Sequence, residues 1–231
     1  TVFSQEQLAS DVFSMWLEVG SIASEAKPGQ FISVYSNDDS KLLPRPISIC
    51  EIDRENGRLR IVYRVVGYGT KEFSGCKAGD TLEIMGPLGN GYTLKKDKAI
   101  LVAGGIGVPP MLELAKELDC EKTIVLGYRD ELFLNKEFEQ YGKVVIATED
   151  GSCGTKGNVL DAIRAESVDG QVIYSCGPTP MLRALKQYAA DKGIEAWISL
   201  EEKMACGIGA CLACVCKSKE VDGHTNVHNK R

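Results

Sequence analysis

The chain has 231 residues, of which 44% are hydrophobic and 26% charged, and its formal net charge is −5. This length suffices for the core of one large or two medium domains. The apolar runs are far shorter than a membrane-spanning helix requires, the first residues do not resemble a secretion signal, and the negative charge argues against attraction of the whole chain to nucleic acid or anionic lipid.

The first part of the chain, up to about residue 94, predicts a β domain. Strand-like runs alternate with turn signals such as Lys27-Pro-Gly and Glu55-Asn-Gly. Several short strands with regular breaks indicate a small antiparallel barrel or sandwich. The predicted strands are Val12–Val19, Gln30–Tyr35, Arg45–Ile52, Arg58–Val66 and Thr81–Met85.

Two segments of this β domain predict a site for an anionic dinucleotide. Arg45 lies between two prolines and close in sequence to the hydroxyl of Ser48, a rigid arrangement that suits an anion or a flavin. A proline-rich strand edge is the alternative interpretation. A later run adds the ring of Tyr63, a second arginine, Arg64, and a glycine turn, which together can hold rings and phosphates.

From about residue 98, strands alternate with helices, which predicts a doubly wound parallel sheet. The change of pattern predicts a domain boundary near residues 93–97. The predicted strands are Ala99–Ala103, Thr123–Gly127, Val144–Thr148, Gln171–Ser175 and Ala196–Leu200. The predicted helices are Pro109–Leu118, Asp130–Tyr141, Asn158–Ala165 and Thr179–Lys192.

Two glycine-containing turns lie where predicted strands of this sheet end and helices begin. The first contains Gly104, Gly105 and Gly107, and the second is Cys176-Gly-Pro178. Doubly wound sheets bind nucleotides at the carboxyl ends of their strands, where glycines allow close approach and helix amides favour an anion. The first turn is not a complete dinucleotide fingerprint, so a tight strand–helix turn is the alternative, with Cys176 as an inert buried thiol. The pair of turns predicts a nicotinamide dinucleotide site.

Near the end of the chain, Cys206, Cys211 and Cys214 follow the spacing C-x4-C-x2-C, which is typical of a plant-type [2Fe-2S] cluster. Small residues between the cysteines let the backbone approach the cluster sulfides and donate hydrogen bonds to them. Four of the nine cysteines fall in the segment Cys206–Cys216. In a chain without a secretion signal, this clustering favours metal binding over disulfides and predicts a reducing cytoplasm.

Other ligand sets are alternatives to a two-iron cluster. Either His224 or His228 could complete a zinc site with the three cysteines, although the cysteine spacing fits [2Fe-2S] better. A Rieske-type cluster uses only two cysteines with two histidines. Cys216 lies two residues after Cys214, too close along the chain to reach the second iron, so we expect a spare thiol there.

The motifs Arg45–Ser48, Tyr63–Thr70, Gly104–Gly107, Cys176–Pro178 and Met204–Cys214 appear in this order. The sequence thereby resembles the electron-transfer subunits of dihydroorotate dehydrogenase B, a family of ferredoxin-reductase-like flavoproteins, over essentially the whole chain. The resemblance implies an FAD-binding β-barrel at residues 1–94, an NAD-binding α/β domain at residues 95–200 and a [2Fe-2S] lobe at residues 201–231.

The resemblance, together with the two glycine turns, gives a set of expected site residues. The FAD contacts would be Arg45, Pro46, Ile47, Ser48, Val62, Tyr63, Arg64, Gly69 and Thr70. The NAD contacts would be Gly104, Gly105, Gly107, Cys176, Gly177 and Pro178. The cluster ligands would be Cys206, Cys211 and Cys214. The family's fourth cysteine ligand follows shortly after the third, and this sequence ends at Arg231 without it, so we expect a truncated chain rather than an incomplete cluster.

The resemblance also implies a function in electron transfer. NAD would exchange a hydride with FAD, and FAD would exchange single electrons with the cluster. No residue of this chain is placed to deprotonate dihydroorotate, so no catalytic residue is predicted, and an FMN-containing catalytic subunit would oxidise that substrate. Electrons would then pass through the cluster and FAD to NAD+, in de novo pyrimidine (UMP) biosynthesis. The family implies a cytoplasmic heterotetramer of two such pairs, with a contact face around Ile208 and Leu212.

Two alternatives belong to other classes. The chain could be the small subunit of a ferredoxin–NADP or sulfide oxidoreductase, or a zinc-stabilised interaction module without catalytic function. The sequence does not decide between NAD and NADP, because Arg129 suits a 2′-phosphate whereas Asp130 and Glu131 suit a free hydroxyl.

Overall fold

The computed structural model describes residues 1–38 and 40–214, and it gives the backbone alone for residues 216–217 and 229–230. Twelve strands in these ranges form two six-stranded sheets, one antiparallel and one parallel. Near the end of the chain, the short strands Cys216–Lys217 and Asn229–Lys230 pair with each other. No helix in the described ranges combines the length and the apolar character needed to cross a membrane.

The first sheet is antiparallel throughout and curves back on itself. Its strands are β1 (Val2–Ala9), β2 (Val12–Glu18), β3 (Phe31–Val34), β4 (Arg45–Asp53), β5 (Arg58–Arg64) and β6 (Ile84–Leu88). They lie in the order β1-β2-β5-β4-β3-β6. The segment before β6 returns to the other edge, where the amide of Val2 donates to the carbonyl oxygen of Asp80 at 2.8 Å. The predicted antiparallel, barrel-like sheet is confirmed.

The sequence prediction missed β1 and two short helices in this part. The strand β1 forms an edge of the sheet, and Val2 is its only fully buried side chain. A strand with so little burial carries no clear hydrophobic alternation. The helices α1 (Ser21–Glu25) and α2 (Tyr68–Phe73) have only five and six residues, and α2 forms in the segment that was predicted as a glycine turn.

The second sheet is parallel throughout. Its strands are β7 (Ala99–Gly104), β8 (Lys122–Tyr128), β9 (Lys143–Thr148), β10 (Thr155–Lys156), β11 (Val172–Cys176) and β12 (Glu195–Ser199). They lie in the order β10-β9-β8-β7-β11-β12, so the strand order reverses between β7 and β11. The intervening helices are α3 (Pro110–Glu117), α4 (Asn135–Phe138), α5 (Val159–Ala165) and α6 (Thr179–Lys192), and residues 105–107 form a 3-10 turn. This is the doubly wound sheet that was predicted.

One predicted helix, Asp130–Tyr141, is wrong except for the single turn of α4. Leu134 adopts a left-handed backbone conformation with φ of 61°. The hydroxyl of Tyr128 donates to the carbonyl oxygen of Phe133 at 2.7 Å. These two features hold residues 129–134 as a loop beside the end of β8.

The two sheets share a buried core where they meet. Val12, Cys50 and Val62 of the first sheet belong to the same apolar cluster as the helix α3 and one face of the second sheet. An ion pair also crosses the junction, between Nη1 of the buried Arg60 and Oε2 of Glu137 in α4, at 2.5 Å. The position of each sheet is therefore fixed by the other.

Candidate functional site

A cleft of about 800 Å³ opens at the carboxyl ends of β7, β8, β9 and β11. This is the edge where doubly wound sheets bind nucleotides, next to the point where the strand order reverses. Of the predicted NAD contacts, Gly104, Gly105 and Pro178 line the cleft. The opposite wall comes from the first sheet, through the β1–β2 turn and Arg64.

The other predicted NAD contacts lie behind the cleft wall and shape it. The strands β7 and β11 are neighbours, with Ala103 opposite Cys176. A Cβ atom on Gly107 would overlap the carbonyl group of Cys176, and one on Gly177 would meet the side chain of Met181 at 2.6 Å. The two glycine turns therefore pack directly against each other, which requires glycine at position 107 in particular.

Cys176 is a buried thiol rather than a reactive one. It is 1% exposed, and burial raises the pKa of its thiol to about 12. The thiol is consequently protonated at neutral pH. Cys176 contributes to the cleft only through its backbone, which contacts Gly107.

The predicted FAD residues bring together two segments far apart in the sequence. Arg45 begins β4, and its Nη1 donates to the carbonyl oxygen of Leu43 at 2.6 Å. A Cβ on Gly69 would lie 3.0 Å from Nε of Arg45, so the guanidinium passes directly over the first turn of α2. The buried hydroxyl of Thr70 accepts hydrogen bonds from the amides of Val66 and Gly67 at 3.0 and 3.2 Å, and thereby fixes the loop before that helix. A guanidinium over a helix start is suited to a phosphate group.

The remaining predicted FAD residues are distributed over different surroundings. The ring of Tyr63 lies in the core, stacked on Phe13 at 6.1 Å, and its hydroxyl donates to Oε1 of Gln5 at 2.9 Å. The ring is thus already packed on other side chains, which differs from the expectation that it would face a cofactor ring. Nε of Arg64 lies 3.1 Å from Oδ2 of Asp11 at the rim of the cleft. Of the others, Ile47 and Val62 are buried, Ser48 is half-buried and Pro46 is exposed.

The three predicted cluster ligands lie on one exposed loop, and none of them forms a disulfide. The amide of Cys211 lies 3.4 Å from Sγ of Cys206. Hydrogen bonds from the amides of Cys211, Ile208 and Ala210 lower the pKa of Cys206 to about 6, which favours the thiolate that binds iron. Among the residues that the structure describes, no three side chains already form a site for a single metal ion.

The loop nevertheless fits an iron–sulfur cluster by the chemistry of its donors. The amides of Cys211, Ile208 and Ala210 donate hydrogen bonds to Sγ of Cys206, as backbone amides do to the sulfur atoms of a cluster. Gly207 has φ of 72°, and a Cβ there would lie 3.0 Å from Oγ of Ser33, so the loop packs on β3. The predicted alternatives His224 and His228 lie outside the described residues, as does the side chain of Cys216.

The fold and these sites together define a ferredoxin-reductase-like flavoprotein. Residues 1–92 match the oxidoreductase FAD-binding domain, and residues 201–231 match the iron–sulfur cluster binding domain of dihydroorotate dehydrogenase B. The chain is 44% identical over 241 residues to the dihydroorotate dehydrogenase B (NAD(+)) electron transfer subunit of Fusobacterium nucleatum, covering 98% of this chain and 92% of the relative. It is 42% identical to the subunit of the same name from Bacillus caldolyticus, covering 94% of this chain and 87% of the relative. The chain belongs to the family of dihydroorotate dehydrogenase B electron transfer subunits.

Solved structures show the same fold. A chain in the structure of NADH-dependent reduced ferredoxin-NADP oxidoreductase is 31% identical, with a TM-score of 0.88 over 99% of this chain and 83% of that chain. The FAD/NAD binding domain of nitric oxide dioxygenase from Vibrio cholerae shares the fold, with a TM-score of 0.72 at 18% identity over 86% of this chain and 96% of that domain. The predicted family and fold class are confirmed.

Proposed function

We propose that this chain carries electrons from an FMN-containing dihydroorotate dehydrogenase catalytic subunit, through a [2Fe-2S] cluster and FAD, to NAD+, in de novo pyrimidine biosynthesis. One observation supports this most directly: the three predicted sites belong to one connected body. The cysteine loop packs on β3 of the first sheet, and that sheet shares a core with the sheet that forms the cleft. Electron transfer between the bound groups requires their sites to be held at fixed positions relative to each other.

Each site residue then has a specific part. FAD and the cluster, when bound, supply the change between two-electron and one-electron transfer. Arg45 and the loop around Gly69 would hold the FAD phosphates, and the turns at Gly104 and Pro178 would hold the dinucleotide in the cleft. Cys206, Cys211 and Cys214 would bind the cluster. The division into residues 1–94, 95–200 and 201–231 follows these three tasks.

Substrate oxidation would take place in the partner subunit. The carboxylates of Asp130 and Glu131 in the cleft are held by hydrogen bonds that lower their pKa values, and the thiol of Cys176 is protonated, so none of the three is suited to act as a base on dihydroorotate. Ile208 and Leu212 are 61% and 66% exposed on the cysteine loop and would contact that partner. We propose a cytoplasmic heterotetramer with two copies of each subunit.

The proposal is tested by reconstitution with the catalytic subunit. The purified protein is expected to contain FAD and iron, and the complex is expected to reduce NAD+ with dihydroorotate. Cys211→Ser is expected to abolish this activity and to leave NADH-dependent reduction of the flavin largely intact. Cys153→Ser, which changes a half-buried thiol in the loop between β9 and β10, is the matched control and should retain both activities. A complex without iron or flavin, or loss of both activities in Cys211→Ser, would contradict the proposed order of carriers.

The second candidate is the small subunit of another oxidoreductase of this fold. The TM-score of 0.88 to a chain of a ferredoxin-NADP oxidoreductase favours it over the zinc-stabilised module. Dihydroorotate-dependent reduction of NAD+ by the reconstituted pair distinguishes the two candidates, because the second would show none.

A further inference from the structure

One tyrosine connects the two sheets from the linker between them, which consists of residues 89–98 and joins β6 to β7. Within this linker, the hydroxyl of Tyr92 donates to the carbonyl oxygen of Ser175 in β11 at 3.0 Å, and Sδ of Met111 lies 3.7 Å from the same hydroxyl. Burial raises the pKa of Tyr92, so its hydroxyl is protonated and remains a donor at neutral pH.

The backbone and the ring of Tyr92 also contact the first sheet. Its amide donates to the carbonyl oxygen of Pro28 at 3.0 Å. A Cβ atom on Gly29, which has a φ of 86°, would lie 2.6 Å from Cδ2 of Tyr92, so the ring packs closely on this turn. The carbonyl oxygen of the next residue, Gln30, accepts the amide of Ile49 at 2.9 Å. Ile49 lies in β4, so Tyr92 is connected to the strand that carries the first four predicted FAD residues.

On the other side of the linker, the hydroxyl bond holds the strand end that leads into a predicted NAD turn. Ser175 directly precedes the turn Cys176–Pro178. In β11, Ser175 lies between Val102 of β7 and Ile198 of β12. The bond from Tyr92 therefore acts on the residue from which this turn begins.

A second tyrosine holds the same linker to the second sheet. Tyr174 lies in β11, and its ring meets that of Tyr92 edge-on, with 5.5 Å between the ring centroids. Its hydroxyl donates to the carbonyl oxygen of Thr93 at 2.8 Å and accepts the amide of Lys95 at 3.0 Å. The two hydroxyl groups thus have different effects: that of Tyr174 fixes the linker, whereas that of Tyr92 completes the connection between β4 and the turn after β11.

We propose that Tyr92 is a positioning residue for the exchange of electrons between NAD and FAD, because it sets the position of the turn Cys176–Pro178 relative to β4. It acts through the backbone of Ser175 on one side and through Pro28 and Gly29 on the other. Transfer between two bound rings depends steeply on their alignment, and a displacement of about 1 Å can lower the rate by up to about 100-fold. The inference rests on the proposed function and adds a residue that controls its rate.

The test is Tyr92→Phe in the protein carrying its FAD. Phenylalanine keeps the ring on Gly29 and removes the hydroxyl bond to Ser175. We expect the limiting rate of flavin reduction by NADH, measured by stopped-flow absorbance, to fall about tenfold. The FAD content and the Kd for ADP-ribose, measured by calorimetry, should stay unchanged, because the substitution does not alter the glycine turn after β7.

Hydrogen–deuterium exchange gives a readout without electron transfer. In Tyr92→Phe, the amides of Cys176 and Gly177 should exchange faster, because the strand end before them has lost a hydrogen bond. Tyr174→Phe is the matched control, since it removes a hydroxyl bonded to the same linker. It should lower the Tm by a similar amount and leave both the limiting rate and this exchange unchanged.

Three results would overturn the inference and leave the proposed function intact: an unchanged limiting rate in Tyr92→Phe, a slower rate without faster exchange, or an equal loss of rate in Tyr174→Phe. Weaker binding of ADP-ribose or loss of FAD in Tyr92→Phe would also overturn it, since either would mean that Tyr92 serves binding rather than positioning. An unchanged protein whose FAD is not reduced by NADH would overturn the proposed function, and the inference with it.

Discussion

At the scale of single residues, Gly107 shows how one missing side chain shapes the cleft. The backbone of β11 occupies the space where a Cβ of residue 107 would lie, at the carbonyl group of Cys176. Gly105, two residues earlier in the same turn, has open space around the corresponding position but a φ of 53°. The two glycines are thus required for different reasons, one for space and the other for conformation.

These reasons predict different costs for the same substitution. Gly107→Ala must push the two glycine turns apart and is expected to destabilise the protein by about 2 kcal/mol or more. Gly105→Ala meets no neighbour and should cost about 1 kcal/mol, the usual penalty for a left-handed alanine. Urea unfolding of the FAD-loaded variants measures both values. Equal losses of stability would show that the contact with Cys176 is not what requires glycine at position 107.

The site residues that could be predicted from the sequence alone lie close together along the chain. Cys206, Cys211 and Cys214 are close together in the chain, so their spacing alone predicts a shared site. The contact of Arg45 with Gly69 joins residues on different elements, and neither sequence segment contains that information. The hydrogen bonds between Ser10 and Glu131 are of the same kind, and only the resemblance or the structure could suggest such pairs.

At the scale of elements, the periodicity of the α/β part predicted each strand of the second sheet except β10, which has two residues. The strands β7 and β11 are buried along their whole length, and their sequences are apolar except for Ser175, which is a strong signal. The helix predicted at Asp130–Tyr141 failed, because Leu134 and the bond from Tyr128 to Phe133 are set by tertiary packing. The wrongly predicted helix includes the loop that carries the charged residues of the cleft.

Ser10 in the β1–β2 turn is hydrogen-bonded to Glu131 in this loop, and the effect of this contact on the pKa of Glu131 can be measured. Ser10→Ala removes the hydroxyl hydrogen bond to Glu131, which is the largest cause of the lowered pKa of that carboxyl group. We expect the pKa of Glu131 to rise toward its ordinary value, as followed by carboxyl carbon NMR. The stability that the lowered pKa contributes above the ordinary pKa of glutamate, and that is lost as the pH falls, should shrink in parallel.

A control comes from a similar hydrogen bond between a serine and a carboxylate in the loop after β9. Ser152→Ala removes a hydroxyl bond of 2.7 Å to Asp150, and it should raise the pKa of Asp150 without affecting Glu131. If Ser10→Ala left the pKa of Glu131 unchanged, the bond across the cleft would not exist in solution.

At the scale of the whole molecule, a buried carboxylate connects the two sheets. Glu113 lies on α3, which starts after the glycine turn of the cleft, and its side chain has no solvent exposure. Its Oε2 accepts the amide of Ile52 in β4, the strand that begins with Arg45, at 2.9 Å. One hydrogen bond therefore links the helix of the nucleotide site to the strand of the predicted FAD site.

The balance of charges around Glu113 does not compensate fully for its burial. Arg54 and Lys116 approach its oxygens only to 3.6 and 3.5 Å, and both are partly exposed. Burial raises the pKa of Glu113 above its ordinary value. Ionisation of Glu113 therefore costs more free energy in the folded protein than in the unfolded chain.

This difference in ionisation free energy predicts a pH dependence that a single substitution should remove. Because the pKa of Glu113 is higher in the folded protein than in the unfolded chain, the folded state holds one more proton between those two values, and stability falls as the pH rises through that window.

The variant Glu113→Gln tests this pH dependence. Its amide oxygen can still accept a hydrogen bond from the amide of Ile52, and its amide nitrogen can donate to Glu117, which already hydrogen-bonds this side chain. We expect the Tm of the variant to fall less between pH 4.5 and pH 7 than that of the unchanged protein, since a free glutamate is half-ionised at about pH 4.3. Glu166→Gln, at an exposed glutamate paired with Lys143, is the control and should keep the original slope. Parallel Tm profiles for Glu113→Gln and the unchanged protein would contradict this prediction. They would mean that ionisation of Glu113 does not destabilise the folded protein, and that Glu113 links the two sheets only through its hydrogen bond with Ile52.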